Sequence, residues 1–308
     1  MAVDRLSQTW ATIKRIAVLV LLVMLAAAIA EDTFIRYRDK VWTIFSSSLR
    51  SLWSDVISFF AHDELKLYIV GTFILTTGVF WLSNLFFILL DLTGWPACIL
   101  TYKIQPEKNR PLLMTDFLKA LKVALFNQIF VGIPVLSCTV STMRWMGSTW
   151  SAEELPSVNR VLLELAVFAV VEEIGFYYSH RLLHHPRLYK YIHKKHHEWT
   201  APVGIVSIYA HPVEHVFANL VPPGLGPILM GSHLFTAWLF WAIAIVSTTI
   251  DHSGYRLPVF LSPDFHDFHH LKFNTNYGVL GILDRLHGTD ALFRKHTLDD
   301  RDTNPKTQ

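Results

Sequence analysis

Two scarcities frame this 308-residue chain: it has only two cysteines, and only 17% of its residues are charged. Cys98 and Cys138 lie in or beside apolar segments, so they form no disulfide framework and no C-x-x-C metal knuckle. A net charge of +2 with histidine neutral supplies no basic field of the kind that recruits nucleic acid. No internal repeat is discernible. Against these absences, hydrophobic residues reach 52% and mean hydropathy is +0.33, a balance expected of a polytopic membrane protein rather than a soluble globule.

The apolar runs divide the chain. Ile16–Ala30 follows Lys14 and Arg15 and precedes Glu31-Asp32; it reads as an anchor helix, with a cleaved signal peptide as the alternative because Ala28-Ile29-Ala30 resembles a processing site. Residues 41–60 alternate aromatic and polar groups and read as interfacial. Leu65–Leu90, Phe117–Val140 and Val158–Tyr178 are long enough to span a core of about 30 Å, the middle one with a kink expected at Gly132 and Pro134. Ile205–Met230 and His233–Ile250, separated near Pro222-Pro223-Gly224 and Gly231, read as a hairpin that dips into the membrane and returns. The expectation is therefore an all-α, polytopic helix bundle of about four spans plus a re-entrant helical hairpin. Its parts would be residues 1–64 as anchor and interfacial segment, 65–295 as the membrane-embedded domain, and 296–308 as a disordered tail. Basic loop 91–116 belongs in the cytosol by charge bias, which puts the end of Val158–Tyr178 there too.

Histidine breaks the pattern. Thirteen of sixteen histidines lie between His180 and His270, and their spacing repeats. His180 and His184 are four apart. His193 with His196 and His197 are three and four apart, and His266 with His269 and His270 copy them; His211 and His215 are again four apart. On a helix such residues share a face and can aim imidazoles at one point. A single i,i+4 pair is more often an ordinary surface pair, but three boxes with matched spacing are not explained that way. Neutral imidazole is the commonest nitrogen ligand of iron, zinc and copper. One zinc needs about four ligands, so eight box histidines, with His211, His215 and His252 as further candidates, fit two octahedral-type metals in a cytosolic cap, each keeping room for an exogenous ligand. His185 and His233 are not expected to bind.

Carboxylates inside or beside apolar spans are costly and usually have a function. One of Glu172 and Glu173, the sequence not saying which, is expected to accept an imidazole N–H and fix its tautomer; the alternative is that both pair with Arg181 or Lys194. Asp251 and Asp267, beside box histidines, carry the same alternatives, and Glu164 is a third buried carboxylate. Two rival classes arise. His211-Pro212-Val213-Glu214-His215 matches the H-x-x-E-H zinc-protease pattern, but leaves the other boxes unexplained. A zinc transporter would want its ligands near the membrane midplane, whereas these sit at helix ends.

The segments HRLLHH (180–185), HKKHH (193–197) and HDFHH (266–270) resemble the three histidine boxes of the fatty acid hydroxylase/sterol desaturase superfamily. AHPVE at 210–214, DHSGY at 251–255 and NYG…LDRLHGTD at 276–290 are also similar. Within the superfamily the chain looks closest to sterol C-4 methyl oxidases. The resemblance implies a membrane di-iron oxygenase of the endoplasmic reticulum, multi-pass, with its active site facing the cytosol. It implies that O2 and electrons from NAD(P)H, delivered by cytochrome b5 or its reductase, hydroxylate a C–H bond of a lipid. The implied substrate is a sterol intermediate with C-4 methyl groups, with a fatty acyl or sphingolipid chain or a non-catalytic regulator as alternatives. The implied ligands of two Fe ions are His180, His184, His193, His196, His197, His266, His269 and His270, with His252, His211 and His215 where relatives place additional ligands. A purified sample can hold zinc instead, since imidazole accepts both.

Overall fold

In hydrocarbon a chain must satisfy its own backbone polar groups, and a helix does so within one segment. The computed structural model, which describes residues 47–258, 260 and 262–303, is accordingly all-helical among those residues, with a single isolated bridge between Lys103 and Tyr255. The run Ile16–Ala30 and its two interpretations fall outside the described residues. Helix α1 covers residues 47–59; α2 is Glu64–Thr93 and α3 Met114–Trp145; α4 is Val158–Leu183. After short helical turns come α5, Val221–Leu229, and α6, Leu234–Asp251. The chain ends with α7, Asp264–Lys272, α8, Ile282–His287, and α9, Ala291–Thr303. That last helix runs through Thr303 where a disordered tail was expected from 296.

Three helices, α2, α3 and α6, are long and apolar enough to cross a membrane. Helix α4, expected as a fourth span, is not among them, because Arg160, Glu164, Glu172, Glu173 and Arg181 interrupt it. Its charges and its exposed face are separated, however. From Leu162 to Tyr178 every exposed side chain is apolar or aromatic, while Glu164 and Glu173 are buried. Glu164 is matched by Arg160 at 2.6 Å.

The expected kink in α3 has a more specific form. A π-helical turn, Asn127–Gly132, precedes Pro134; widening the turn absorbs the missing proline N–H. It also points the Asn127 amide inward, donating to the carbonyls of Ile208 (2.9 Å) and Ala210 (3.0 Å). The hairpin differs too. Its descending arm is broken into a π turn, His215–Leu220, and α5, and its turn lies at the opposite end of the bundle from the histidines. There the Leu234 N–H donates to Thr149 O at 2.8 Å. Gly231 makes this possible: its φ is +54°, and a Cβ would stand 2.2 Å from Met146 O.

At the histidine end, the loop after α2 is stitched down by a buried ion pair. Lys103 Nζ lies 3.0 Å from Asp91 Oδ1, the Tyr255 hydroxyl donates to the same oxygen at 2.7 Å, and Lys103 also donates to Asn109 O. The loop and the DHSGY segment are thereby joined beside His252. Removing one partner of such a pair leaves a buried charge alone and costs roughly 3–5 kcal/mol. Asp91→Ala is expected to lower stability by about that much, read by chemical denaturation of the detergent-solubilised protein, whereas Lys66→Ala, an exposed ion-pair partner of Asp63, changes it by less than about 1 kcal/mol.

Candidate metal centre

Nine histidines converge in two groups at this end of the bundle. His180, His184, His193, His197 and His269 form one; His196, His252, His266 and His270 form the other, and the ligand atoms within each group lie within 4.8 Å of one another. The H-x-x-H-H spacing explains the division. In box two His193 and His197, four apart, meet in the first group (Nε2 to Nε2, 3.0 Å). His196, three from His193, stacks beside it with ring centroids 5.6 Å apart and reaches the second group. Box three does the reverse: His266 and His270 meet in the second group at 3.2 Å, while His269 stacks beside His266 at 5.5 Å and enters the first. Each box thus gives its i,i+4 pair to one group and its middle histidine to the other. His180 and His184 from the end of α4 complete a set of five, and His252 from the end of α6 a set of four.

The proton positions follow from the outer face of each ring. Nδ1 of His180 meets Tyr277 O (2.8 Å), that of His196 meets Tyr209 O (3.2 Å), and that of His252 meets Thr248 O (2.8 Å). His269 Nδ1 meets Thr275 O at 2.6 Å and His270 Nδ1 meets Trp199 O at 2.9 Å. A carbonyl only accepts, so these Nδ1 atoms carry the proton and their Nε2 atoms present lone pairs inward. Burial holds all nine rings below their usual pKa, His180 to about 3 and His196 to about 4, so they are neutral at pH 7.

Neighbouring Nε2 atoms stand 2.9–3.3 Å apart in both groups. Where both rings are fixed by a carbonyl, as at His196 and His252 (3.3 Å), lone pair faces lone pair, an arrangement that repels unless a cation sits between them. Around an ion with metal–nitrogen bonds of about 2.1 Å, adjacent ligands of an octahedron are about 3.0 Å apart and those of a tetrahedron about 3.4 Å. The observed spacing matches the octahedron. The residues therefore fit two metal ions, with five nitrogen donors for one and four for the other, leaving coordination positions open at both.

Not every expected residue joins in. His211 and His215 stand outside both groups: His211 Nδ1 accepts the Val213 N–H and caps the turn at 212–214, and His215 Nδ1 faces Asn219 at 3.4 Å. Their failure to converge removes the geometric basis of the H-x-x-E-H protease pattern. The glutamate of that motif has another place. Glu214 Oε1 lies 2.8 Å from His193 Nδ1, both side chains buried, and it is the carboxylate that faces a gathered imidazole. The signal for it was AHPVE itself, read as a possible site for hydrolysis rather than as support for a box-two ring. His185 and His233 lie outside the groups, as expected; His233 donates through Nε2 to Ser151 O at the far end of the bundle.

The four carboxylates expected to touch imidazoles do not. Glu173 accepts three backbone N–H groups, from Val279 (2.9 Å), Leu280 (2.7 Å) and Leu283 (3.0 Å). Asp284 accepts those of Tyr277 (2.8 Å) and Gly278 (2.6 Å). Gly278 lies between the two, and a Cβ there would come within 2.9 Å of oxygens of both. These carboxylates shape the loop whose Tyr277 carbonyl locks His180, so they act one step further out. Asp267, raised to about 6 by burial, accepts from Gln105 at 2.9 Å and ties box three to the loop after α2. Glu172 and Asp251 are half-buried, and neither bonds a gathered imidazole among the described residues.

Loss of one donor is expected to lower bound metal per chain: His193→Ala and His266→Ala should each do so by elemental analysis, while His211→Ala and His215→Ala retain it. Glu214→Ala, which removes the buried carboxylate 2.8 Å from His193 Nδ1, should weaken metal binding about 10–100-fold in chelator competition.

The fatty acid hydroxylase family model matches residues 165–289, which include all nine histidines. The chain is 41% identical over 286 residues to fatty acid hydroxylase domain-containing protein 2 of Macaca fascicularis, covering 93% of this chain and 86% of that one. It is 38% identical to a fatty acid hydroxylase of Mycosarcoma maydis, over 77% of this chain and 61% of the relative. It is 33% identical to methylsterol monooxygenase 2-2 of Arabidopsis thaliana, over 81% and 95%. No solved structure matches it significantly. With a similar relative along nearly its whole length, and the family's matched region enclosing the entire histidine centre, the chain belongs to the fatty acid hydroxylase family.

Proposed function

We propose that this chain is a membrane di-iron oxygenase that hydroxylates the C-4 methyl group of a sterol intermediate, using O2 and electrons from NAD(P)H passed through cytochrome b5 or its reductase. Its place is the endoplasmic reticulum membrane, with the histidine end toward the cytosol. The observation that carries the metal reading is the pair of nitrogen cages with octahedral spacing. Iron rather than zinc is assigned because an unactivated C–H bond demands a redox metal. The 33% identity to a methylsterol monooxygenase over 95% of its length supports the sterol. A fatty acyl chain is the second reading, supported by the 38% identity to a fatty acid hydroxylase.

Bound iron would supply an oxidant, made from O2 and two electrons, strong enough to break a C–H bond that no side chain can attack. The chain's own contribution is arrangement. Backbone carbonyls hold the Nδ1 protons of His180, His196, His252, His269 and His270 outward, so their Nε2 lone pairs remain available without deprotonation at neutral pH. Burial of eight of the nine imidazoles excludes stray water. The centre sits where α4 and α6 end, and apolar helices below it let a lipid approach from the side.

Purified protein is expected to contain two irons per chain. His196→Ala and His269→Ala should abolish lipid turnover, while His62→Ala should not. Lipid profiles of cells lacking the protein should show 4-methylsterols accumulating. Accumulation of unhydroxylated acyl lipids with normal sterols would favour the second reading, and a single zinc supporting peptide cleavage would sink both.

A further inference from the structure

Eight of the nine gathered imidazoles are buried and one, His184, is half-buried, so the surface reaches the five-histidine group through His184. Tyr189 stacks on that ring, with centroids 5.6 Å apart and 30° between planes. Tyr189 ends a short helix, Pro186–Tyr189, that also carries Arg187, and Lys190 follows directly. From His180 to His197 the chain holds five cations and no carboxylate. Arg187, Lys190 and Lys194 are exposed and make no ion pair with any described residue. The acid next in sequence, Glu198, is engaged by Lys119 at 2.6 Å. Lys190 lies over the Tyr191 ring, 4.6 Å from its centroid, and exposed like charges that no carboxylate neutralises attract an anionic surface.

We infer that this cationic segment beside His184 is the docking surface for a small one-electron redox protein with an acidic face. The inference rests on the oxygenase reading above. In that reaction R–H, O2, two electrons and two protons yield R–OH and water. The carbon is oxidised, O2 is reduced, one oxygen enters the alcohol and the other leaves as water. The two electrons come from outside, one in each of two encounters, and the donor loses one electron each time before NAD(P)H restores it. A lipid surface is also anionic, but it has no use for a ligand ring at the centre of its contact. The Tyr189–His184 stack within this segment favours a partner that must come close to the metals.

The test mixes the full-length, iron-loaded chain in neutral-lipid nanodiscs with the reduced soluble haem domain of a cytochrome b5, and follows haem oxidation by stopped flow. The rate constant should fall as salt rises, because exposed charges are screened within about 10 Å at 0.1 M. The triple variant Arg187→Glu, Lys190→Glu, Lys194→Glu should lower it about tenfold or more at low salt and flatten the salt dependence. Iron content and the oxidation rate of duroquinol, a small uncharged reductant, should stay unchanged. If the triple variant loses iron, Lys190→Glu alone replaces it, with a smaller loss of rate in the same direction expected. An unchanged haem oxidation rate overturns the inference and leaves the oxygenase reading intact. So does an unchanged rate accompanied by lost binding to phosphatidylserine vesicles, which makes the cationic segment a lipid contact. If neither duroquinol nor the haem domain reduces the iron-loaded wild type, the oxygenase reading falls and the docking inference with it.

Discussion

Nine neutral imidazoles whose Nε2 atoms crowd together 2.9–3.3 Å apart are the constraint on which the rest of this structure depends. Such a cluster is unfavourable in itself: it is buried, it repels, and burial prevents it from finding relief by protonation. A cation in each cage turns the same geometry from repulsive to attractive. The fold around the cages serves to hold the rings in that arrangement, and much of the chain's irregular structure is explained by this demand.

The holding is done in layers. Five carbonyls take Nδ1 protons, and they come from turns rather than from the long helices, apart from Thr248 of α6. Turns are easily deformed, so each is held in its own right. Glu173 and Asp284 collect five backbone N–H groups of the 277–283 loop. Asn127, turned inward by the π turn of α3, holds the carbonyls on either side of Tyr209. Gln105 bridges Thr200 O and Asp267. Carboxylates inside a membrane protein are thus used to shape backbone, and their cost is offset by several charge-assisted hydrogen bonds each.

The same logic accounts for α4. Its buried Glu173 faces the loop that it organises, His180 and His184 face the cluster, and its exposed side chains from Leu162 to Tyr178 are apolar or aromatic. Averaging hydropathy around the whole helix mixes those two faces. A helix that lends two histidines to a cluster at its end cannot be as uniformly apolar as α2 or α3.

The sequence by itself determined a good deal. Apolar run length required helices, since hydrocarbon offers the backbone no other partner. Repeated i,i+3 and i,i+4 histidines required convergence on metal, since no other role explains the crowding. Both are local properties, legible from spacing. Which ring enters which cage was decided only by the tertiary structure, because two H-x-x-H-H boxes 73 residues apart exchange their middle histidines. The roles of Glu173, Asp267 and Glu214 were decided there as well. A carboxylate beside a histidine in sequence has no fixed partner until the chain folds, and the nearest hydrogen-bond donors to Glu173 turned out to be backbone N–H groups more than a hundred positions away. His211 and His215 show the converse: their spacing was right, but a proline-started turn spent one ring on a cap and left the other outside the cages.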